Sequence, residues 1–81
     1  MIVLKFGGTS VGDAAGIVRT AGIIKTRVSK GAIVVVSALA GVTNDLIAIA
    51  EQAAKGHLIG AIRGVEGLRE RHLEQAEKLL G

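Results

Sequence analysis

The chain has 81 residues, of which 49% are hydrophobic, and a formal net charge of +3. A chain of this length forms one domain or part of one, and it buries only about 60% of its unfolded surface. It contains no cysteine and only one residue among Phe, Tyr and Trp, which argues against disulfides, thiolate metal sites and stacking of nucleic-acid bases. The apolar run at residues 32–36 is far too short to span a bilayer, and the order of a signal peptide is absent. We therefore expect a cytoplasmic protein whose partners are neither nucleic acids nor membranes.

The first half of the chain predicts a strand, a helix and a second strand. Residues 1–6 are apolar at nearly every position, which is typical of a strand covered on both faces in a parallel sheet. Asp13 is a suitable helix cap, and an apolar stripe with helical spacing runs as far as Val28 before Gly31 ends the helix. Residues 32–37 are rich in β-branched side chains and predict the second strand. This order indicates an α/β fold built on a right-handed βαβ unit with parallel strands.

Two helices are predicted after the second strand. Thr43 or Asn44 can cap the first of them, and a break at residues 55–57 separates it from a long helix over about Leu58–Leu80. Each glycine in that long helix weakens it by about 1 kcal/mol relative to alanine. Three such glycines are present: Gly60, Gly64 and Gly67. Close packing against a neighbouring element explains them, and a bend near Gly64 is the alternative.

Two loops rich in glycine and hydroxyl side chains follow the two strands. Because adjacent parallel strands bring their carboxyl ends together, ligands of open α/β sheets bind at that edge. The first loop supplies a cation, accessible backbone amides and hydroxyl groups that suit phosphate oxygens: Lys5, Gly7, Gly8, Thr9 and Ser10. The second supplies short polar groups that suit a small polar substrate: Ser37, Gly41, Thr43 and Asn44. A lysine beside a transferring phosphate stabilises the charge that develops on the phosphate oxygens.

The same residues also have purely structural interpretations. Lys5 can be an ordinary surface lysine at a strand end, and the glycine pair can serve only a tight turn. Ser37 and Thr43 can hydrogen-bond loop backbone or cap a helix without touching a ligand. The lysine precedes the glycines, so the first loop is not a Walker A loop, and it lacks the dinucleotide-binding Gly-x-Gly-x-x-Gly pattern. The two histidines lie well away from the loops, and we predict no metal-ligating set of side chains.

The two loops together resemble the signatures of aspartate kinases. The first segment reads Lys-Phe-Gly-Gly-Thr-Ser-Val at residues 5–11, and the second reads Val-Val-Val-Ser-Ala-Leu-Ala-Gly-Val-Thr-Asn at residues 34–44. A Lys-x-Gly-Gly start alone resembles that of the wider amino-acid kinase superfamily. The rest of the two segments narrows the resemblance to the members that phosphorylate aspartate. The resemblance covers essentially the whole chain and implies a partial amino-acid kinase fold, similar to carbamate kinase. Residues 1–81 would then be the N-terminal segment of the kinase domain.

The resemblance to aspartate kinases implies ATP-dependent phosphorylation of the L-aspartate side-chain carboxylate to 4-phospho-L-aspartate. This step leads to lysine, threonine and methionine, and Mg²⁺ accompanies the ATP. Carried over by position, the residues that contact the ATP phosphates are Lys5, Gly7, Gly8, Thr9 and Ser10, with Lys5 in the catalytic role. Ser37 and Thr43 would contact aspartate.

Aspartate kinases are several times longer than this chain. We therefore expect the rest of the kinase domain and a regulatory region with ACT modules to be absent, and the isolated chain to be inactive. Two apolar strands leave a sheet with exposed edges, so we also expect a homo-oligomer. The alternatives are a fragment that binds phosphate or nucleotide or self-associates without catalysis, and another superfamily member that acts on glutamate or carbamate.

Overall fold

Two neighbouring parallel strands form the sheet of this α/β chain. In the computed structural model, which describes residues 1–81, strand β1 is Ile2–Phe6 and strand β2 is Ala32–Val36. The strands pair in register over their whole length, so Phe6 lies opposite Val36 and both strands end at the same level. The predicted parallel βαβ arrangement is confirmed, and each strand is one residue shorter than the sequence predicts.

Helix α1, Ala14–Lys25, connects the two strands. Asp13 caps it as predicted, because the Asp13 carboxylate accepts a hydrogen bond of 2.8 Å from the backbone N–H of Gly16. The predicted end of this helix is wrong by three residues. At Thr26 both the backbone N–H and the side-chain hydroxyl donate to the carbonyl oxygen of Ile23, at 3.1 and 2.7 Å, which tightens the last turn and closes the helix.

The segment after α1 is a short 3-10 helix, Val28–Lys30. Val28 is therefore outside the apolar stripe of α1, and 63% of its surface is exposed. Gly31 has a φ of 69°, a conformation that favours glycine, and it ends this turn rather than the α-helix.

The two faces of the sheet differ in burial along β1, whereas β2 is exposed on both faces, with Val34 at 38% and Val36 at 56%. Along β1 the residues at positions 2, 4 and 6 are half-buried, whereas Val3 and Lys5 are exposed. Paired residues of parallel strands point to the same side, so Val3 and Lys5 share what we call the open face with Ile33 and Val35. The prediction that both faces are covered is wrong for this chain, because apolar side chains on each face stay exposed: Ile33 and Val35 on the open face, and Val36 on the opposite one.

Helices α2, Val42–Ala54, and α3, Leu58–Leu80, form a compact unit over Gly41–Gly81, and the elements before them form another over Met1–Ala40. A Cβ atom built on Gly64 would lie 2.6 Å from Cγ1 of Ile49 in α2. The glycine therefore allows the two helices to approach closely. This confirms the predicted close packing for Gly64, whereas Gly67 has nothing within 4 Å of an added Cβ atom, and α3 runs without a break through Gly64.

The start of α2 differs from the prediction. Gly41 occupies the N-cap position with a φ of 78°, and no side chain caps the helix. Thr43 and Asn44 lie inside the first turn, so the prediction that one of them caps the helix is wrong. The reason is that the chain enters the helix earlier, through a left-handed conformation that only glycine adopts readily.

Few side chains are enclosed. The buried apolar residues are Val11, Val42 and Ala61, each 6% exposed, and no large side chain is completely buried. Thr20 is the one buried polar residue. None of the helices combines the length and the apolar character needed to cross a membrane.

Candidate functional site

The candidate site lies where β1 and β2 end together. We call residues 7–13, which follow β1, loop 1 and residues 37–41, which follow β2, loop 2. The backbone N–H of Ser37 donates to the carbonyl oxygen of Phe6 at 3.1 Å, which extends the sheet hydrogen bonding by one residue into loop 2. Both loops therefore begin side by side at the carboxyl edge of the sheet, where ligands of parallel sheets bind.

Loop 1 begins with a tight turn. The carbonyl oxygen of Gly7 accepts hydrogen bonds from the backbone N–H groups of Ser10, at 3.0 Å, and Val11, at 3.3 Å. The side chain of Val11 is buried, whereas those of Thr9 and Ser10 are exposed. The turn thus has an apolar anchor on its inner side and leaves its two hydroxyl groups accessible.

Glycines allow loop 1 and loop 2 to touch. The carbonyl oxygen of Gly12 accepts a hydrogen bond of 3.2 Å from the backbone N–H of Ala40. A Cβ atom on Gly12 would lie 2.6 Å from the carbonyl oxygen of Gly8 and 3.1 Å from the Cβ of Ala40. A Cβ atom on Gly8 would lie 3.8 Å from Oγ of Ser37. The glycine-rich turn and the first hydroxyl of loop 2 therefore share one small surface.

Lys5 is the last exposed residue of β1 before loop 1. It pairs with Val35 on the open face, and its side chain is accessible. Of the seven residues predicted to contact ATP or aspartate, the structure thus brings six to one edge of one unit: Lys5, Gly7, Gly8, Thr9, Ser10 and Ser37. Thr43 lies exposed in the first turn of α2, within the second unit, and its role toward a substrate stays a prediction.

Thr20 touches loop 1 and was not predicted as a site residue. Its hydroxyl donates a hydrogen bond of 3.0 Å to the carbonyl oxygen of Ser10. The available signal was its position, because Thr20 lies three residues after Ile17 and four before Ile24, in the apolar stripe of α1. A hydroxyl group in a buried stripe needs a hydrogen-bond partner.

A separate open cleft of about 380 Å³ lies between α2 and α3. Its polar lining residues are Asp45, Gln52 and Arg71. None of the predicted site residues lines it.

Comparison with known proteins agrees with the resemblance carried by the two loops. The amino acid kinase family matches residues 1–79. The aspartokinase of Rickettsia felis is 46% identical over 56 residues, which are 67% of this chain and 14% of that protein. Lysine-sensitive aspartokinase 3 of Escherichia coli K12 is 41% identical over 69 residues, which are 82% of this chain and 15% of that protein. The aspartokinase of Rickettsia conorii is 48% identical over 54 residues, 64% of this chain and 14% of that protein.

The matched part of the chain thus spans about one seventh of the length of these relatives. The family match nevertheless extends over nearly every residue, from the first strand into the end of α3. On this match, the chain belongs to the amino acid kinase family.

Proposed function

We propose that this chain is the phosphate-binding part of an aspartate kinase, which phosphorylates the L-aspartate side-chain carboxylate with ATP to give 4-phospho-L-aspartate. The observation that carries the proposal is the meeting of loop 1 and loop 2 at the common end of β1 and β2. The names of the related aspartokinases support aspartate as the acceptor. The product would enter the synthesis of lysine, threonine and methionine in the cytoplasm.

In the proposed reaction the substrate carboxylate is the nucleophile. A carboxylate oxygen forms a bond to the γ-phosphorus while the bond from that phosphorus to the bridging oxygen of ADP breaks. Negative charge develops on the phosphate oxygens, and the ammonium group of Lys5 would stabilise it. The backbone of Gly7 and Gly8 and the hydroxyls of Thr9 and Ser10 would hold the remaining phosphate oxygens.

Mg²⁺ would reach this site on the nucleotide. Asp13 is the only carboxylate in residues 1–40, and it accepts the capping hydrogen bond of α1. Mg²⁺ in phosphoryl-transfer sites commonly keeps several waters and binds substrate phosphates. We therefore propose that the ATP phosphates hold Mg²⁺ at loop 1 without a carboxylate from this unit.

Ser37 and Thr43 would bind aspartate through their hydroxyl groups, both of which belong to exposed residues. The 81 residues would bind ligand without turnover, because the curated relatives that carry the name aspartokinase are about seven times longer than the segment they share with this chain.

The proposal is tested by NMR titration of the ¹⁵N-labelled chain with MgATP and, separately, with L-aspartate. MgATP should shift the backbone amide signals of residues 7–10, and aspartate should shift those of Ser37 and Thr43. Replacing Lys5 by methionine removes the charge but keeps the alkyl chain, and the affinity for MgATP should fall about tenfold because a charge-assisted contact is lost. The matched control is Lys25→Met, an exposed lysine in the last turn of α1, which should leave the affinity unchanged.

Two results would contradict this proposal. MgATP shifts that occur only in α2 and α3 would place nucleotide binding elsewhere, and equal affinities for wild type and Lys5→Met would remove the proposed role of Lys5. An ADP-release assay of the chain with MgATP and aspartate should show no turnover, and measurable turnover would refute the proposed inactivity.

Self-association is a second candidate function, and the open face of the sheet favours it. Ile33 and Val35 are both about half exposed, at 48% and 47%, and each strand has one edge without a partner strand. Unpaired edges and exposed apolar side chains favour pairing with another chain. Light scattering should report a homo-oligomer, whereas a stable monomer that melts cooperatively contradicts this candidate.

A further inference from the structure

Thr20 connects α1 to the loop that the proposed function assigns to phosphate binding. Only 4% of its surface is exposed, and it is the single buried polar residue of the chain. Its hydroxyl donates to the carbonyl oxygen of Ser10, a residue ten positions earlier, at 3.0 Å. We infer that Thr20 is the positioning residue of loop 1, which holds the Gly7–Ser10 turn in the orientation that receives phosphate.

The surface of α1 beside Thr20 is shaped for this contact. Gly16 lies one helical turn before Thr20, on the same face of α1. A Cβ atom on Gly16 would lie 2.5 Å from the carbonyl oxygen of Ser10. The lack of a side chain at Gly16 therefore lets the loop backbone approach the helix closely enough for the Thr20 hydroxyl to reach it.

The hydrogen bond from Thr20 acts on the turn itself. The N–H of Ser10 already donates to the carbonyl oxygen of Gly7, so Ser10 is held through both its amide and its carbonyl. The Thr20 bond uses only the backbone of Ser10 and leaves the exposed hydroxyls of Thr9 and Ser10 available for a ligand. Donors that are fixed before the ligand arrives need no reorganisation when they bind developing negative charge.

Thr26 provides a matched control within the same helix region. Its hydroxyl also donates to a backbone carbonyl oxygen, that of Ile23 at 2.7 Å, but this bond is exposed and stays within the end of α1. Three variants of the full 81-residue chain are therefore compared with wild type. Thr20→Val removes the hydroxyl and keeps the shape, Thr20→Ser keeps the hydroxyl, and Thr26→Val removes the control bond.

The first measurement is hydrogen exchange of the Ser10 and Val11 amides, which needs no ligand. Thr20→Val should accelerate their exchange about tenfold relative to wild type, because the loss of one buried hydrogen bond loosens the turn. Thr20→Ser should restore slow exchange, and Thr26→Val should leave it unchanged. A purely structural role would instead accelerate exchange across the helices as well as the loop.

The second measurement is the affinity for MgATP. Thr20→Val should bind about fivefold more weakly, and Thr20→Ser should bind as wild type does. The inference is overturned if Thr20→Val leaves loop 1 exchange at the wild-type rate, if exchange rises equally throughout the chain, or if it rises at loop 1 while MgATP affinity stays the same. A wild-type chain that does not bind MgATP would refute both the proposed phosphate role of loop 1 and the positioning of that loop for phosphate. Exchange alone would then report whether Thr20 orders the turn.

Discussion

Gly12 lies where loop 1 meets loop 2, in a space that no side chain can enter without moving backbone. Its carbonyl oxygen binds the N–H of Ala40, and an added Cβ atom would lie 2.6 Å from the carbonyl oxygen of Gly8. A backbone atom cannot swing aside as the end of a long side chain can. The requirement for glycine here is therefore steric, and it links the geometry of the two loops.

Gly12→Ala should lower the free energy of unfolding by about 1–3 kcal/mol, as overpacking does in well-packed sites. It should also shift the NMR amide signals of Gly8 and Ala40. The control is Gly22→Ala in the middle of α1, where a Cβ atom meets nothing within 4 Å. Gly22→Ala should raise the free energy of unfolding by about 0.5–1 kcal/mol, because alanine has a higher helix propensity than glycine. Urea unfolding followed by circular dichroism compares the two, and equal effects would contradict the steric account.

At the scale of elements, the glycines of α3 differ in what faces them. Gly64 packs against the branched side chain of Ile49, close to the backbone of α2, whereas Gly67 has nothing within 4 Å of an added Cβ atom. Gly60 faces the terminal amide of Gln52, a flexible group that can move away. Only Gly64 therefore has a strong packing reason to lack a side chain.

Gly67→Ala should stabilise the chain by about 1 kcal/mol through helix propensity alone. Gly64→Ala gains the same propensity but must displace Ile49, so it should be less stable than Gly67→Ala by about 1–3 kcal/mol. A double-mutant cycle of Gly64→Ala with Ile49→Ala, measured by thermal unfolding, should give a favourable coupling of at least about 0.5 kcal/mol. Additive effects of the two substitutions would mean that the helices do not touch at this point.

At the scale of the whole molecule, a small core accompanies an exposed sheet. Only three apolar residues are buried, and valine and isoleucine side chains of both strands stay exposed, so much of the apolar surface stays in water. An exposed apolar surface of this kind favours association with another protein surface.

Ile33→Lys places a charge on the open face and should convert the proposed homo-oligomer to monomer. The matched control is Val65→Lys in α3, because Val65 is 51% exposed and Ile33 is 48% exposed. Sedimentation velocity distinguishes the species. If both substitutions dissociate the oligomer equally, the association does not depend on the sheet.

The sequence predicted most of the secondary structure because the relevant signals are local. Asp13 is followed at the right distance by an N–H that it can cap, and the β-branched run at residues 32–36 favours a strand. The same local patterns placed glycine and hydroxyl residues directly after each strand. They also led to the kinase family, since both motifs are short and contiguous.

Other features depended on residues far apart in sequence, so only the tertiary structure decided them. The exposure of Ile33 and Val35 on the open face was not visible in the apolar pattern of the strands. The helix boundaries at Thr26 and Gly41 were missed for a different, local reason, the backbone conformations at those residues. The contact of Thr20 with Ser10 and that of Gly12 with Ala40 require α1 and both loops to be in place. Spacing along the chain determines which residues share a strand or a helix face, whereas the partner of a buried hydroxyl or a glycine is determined by packing.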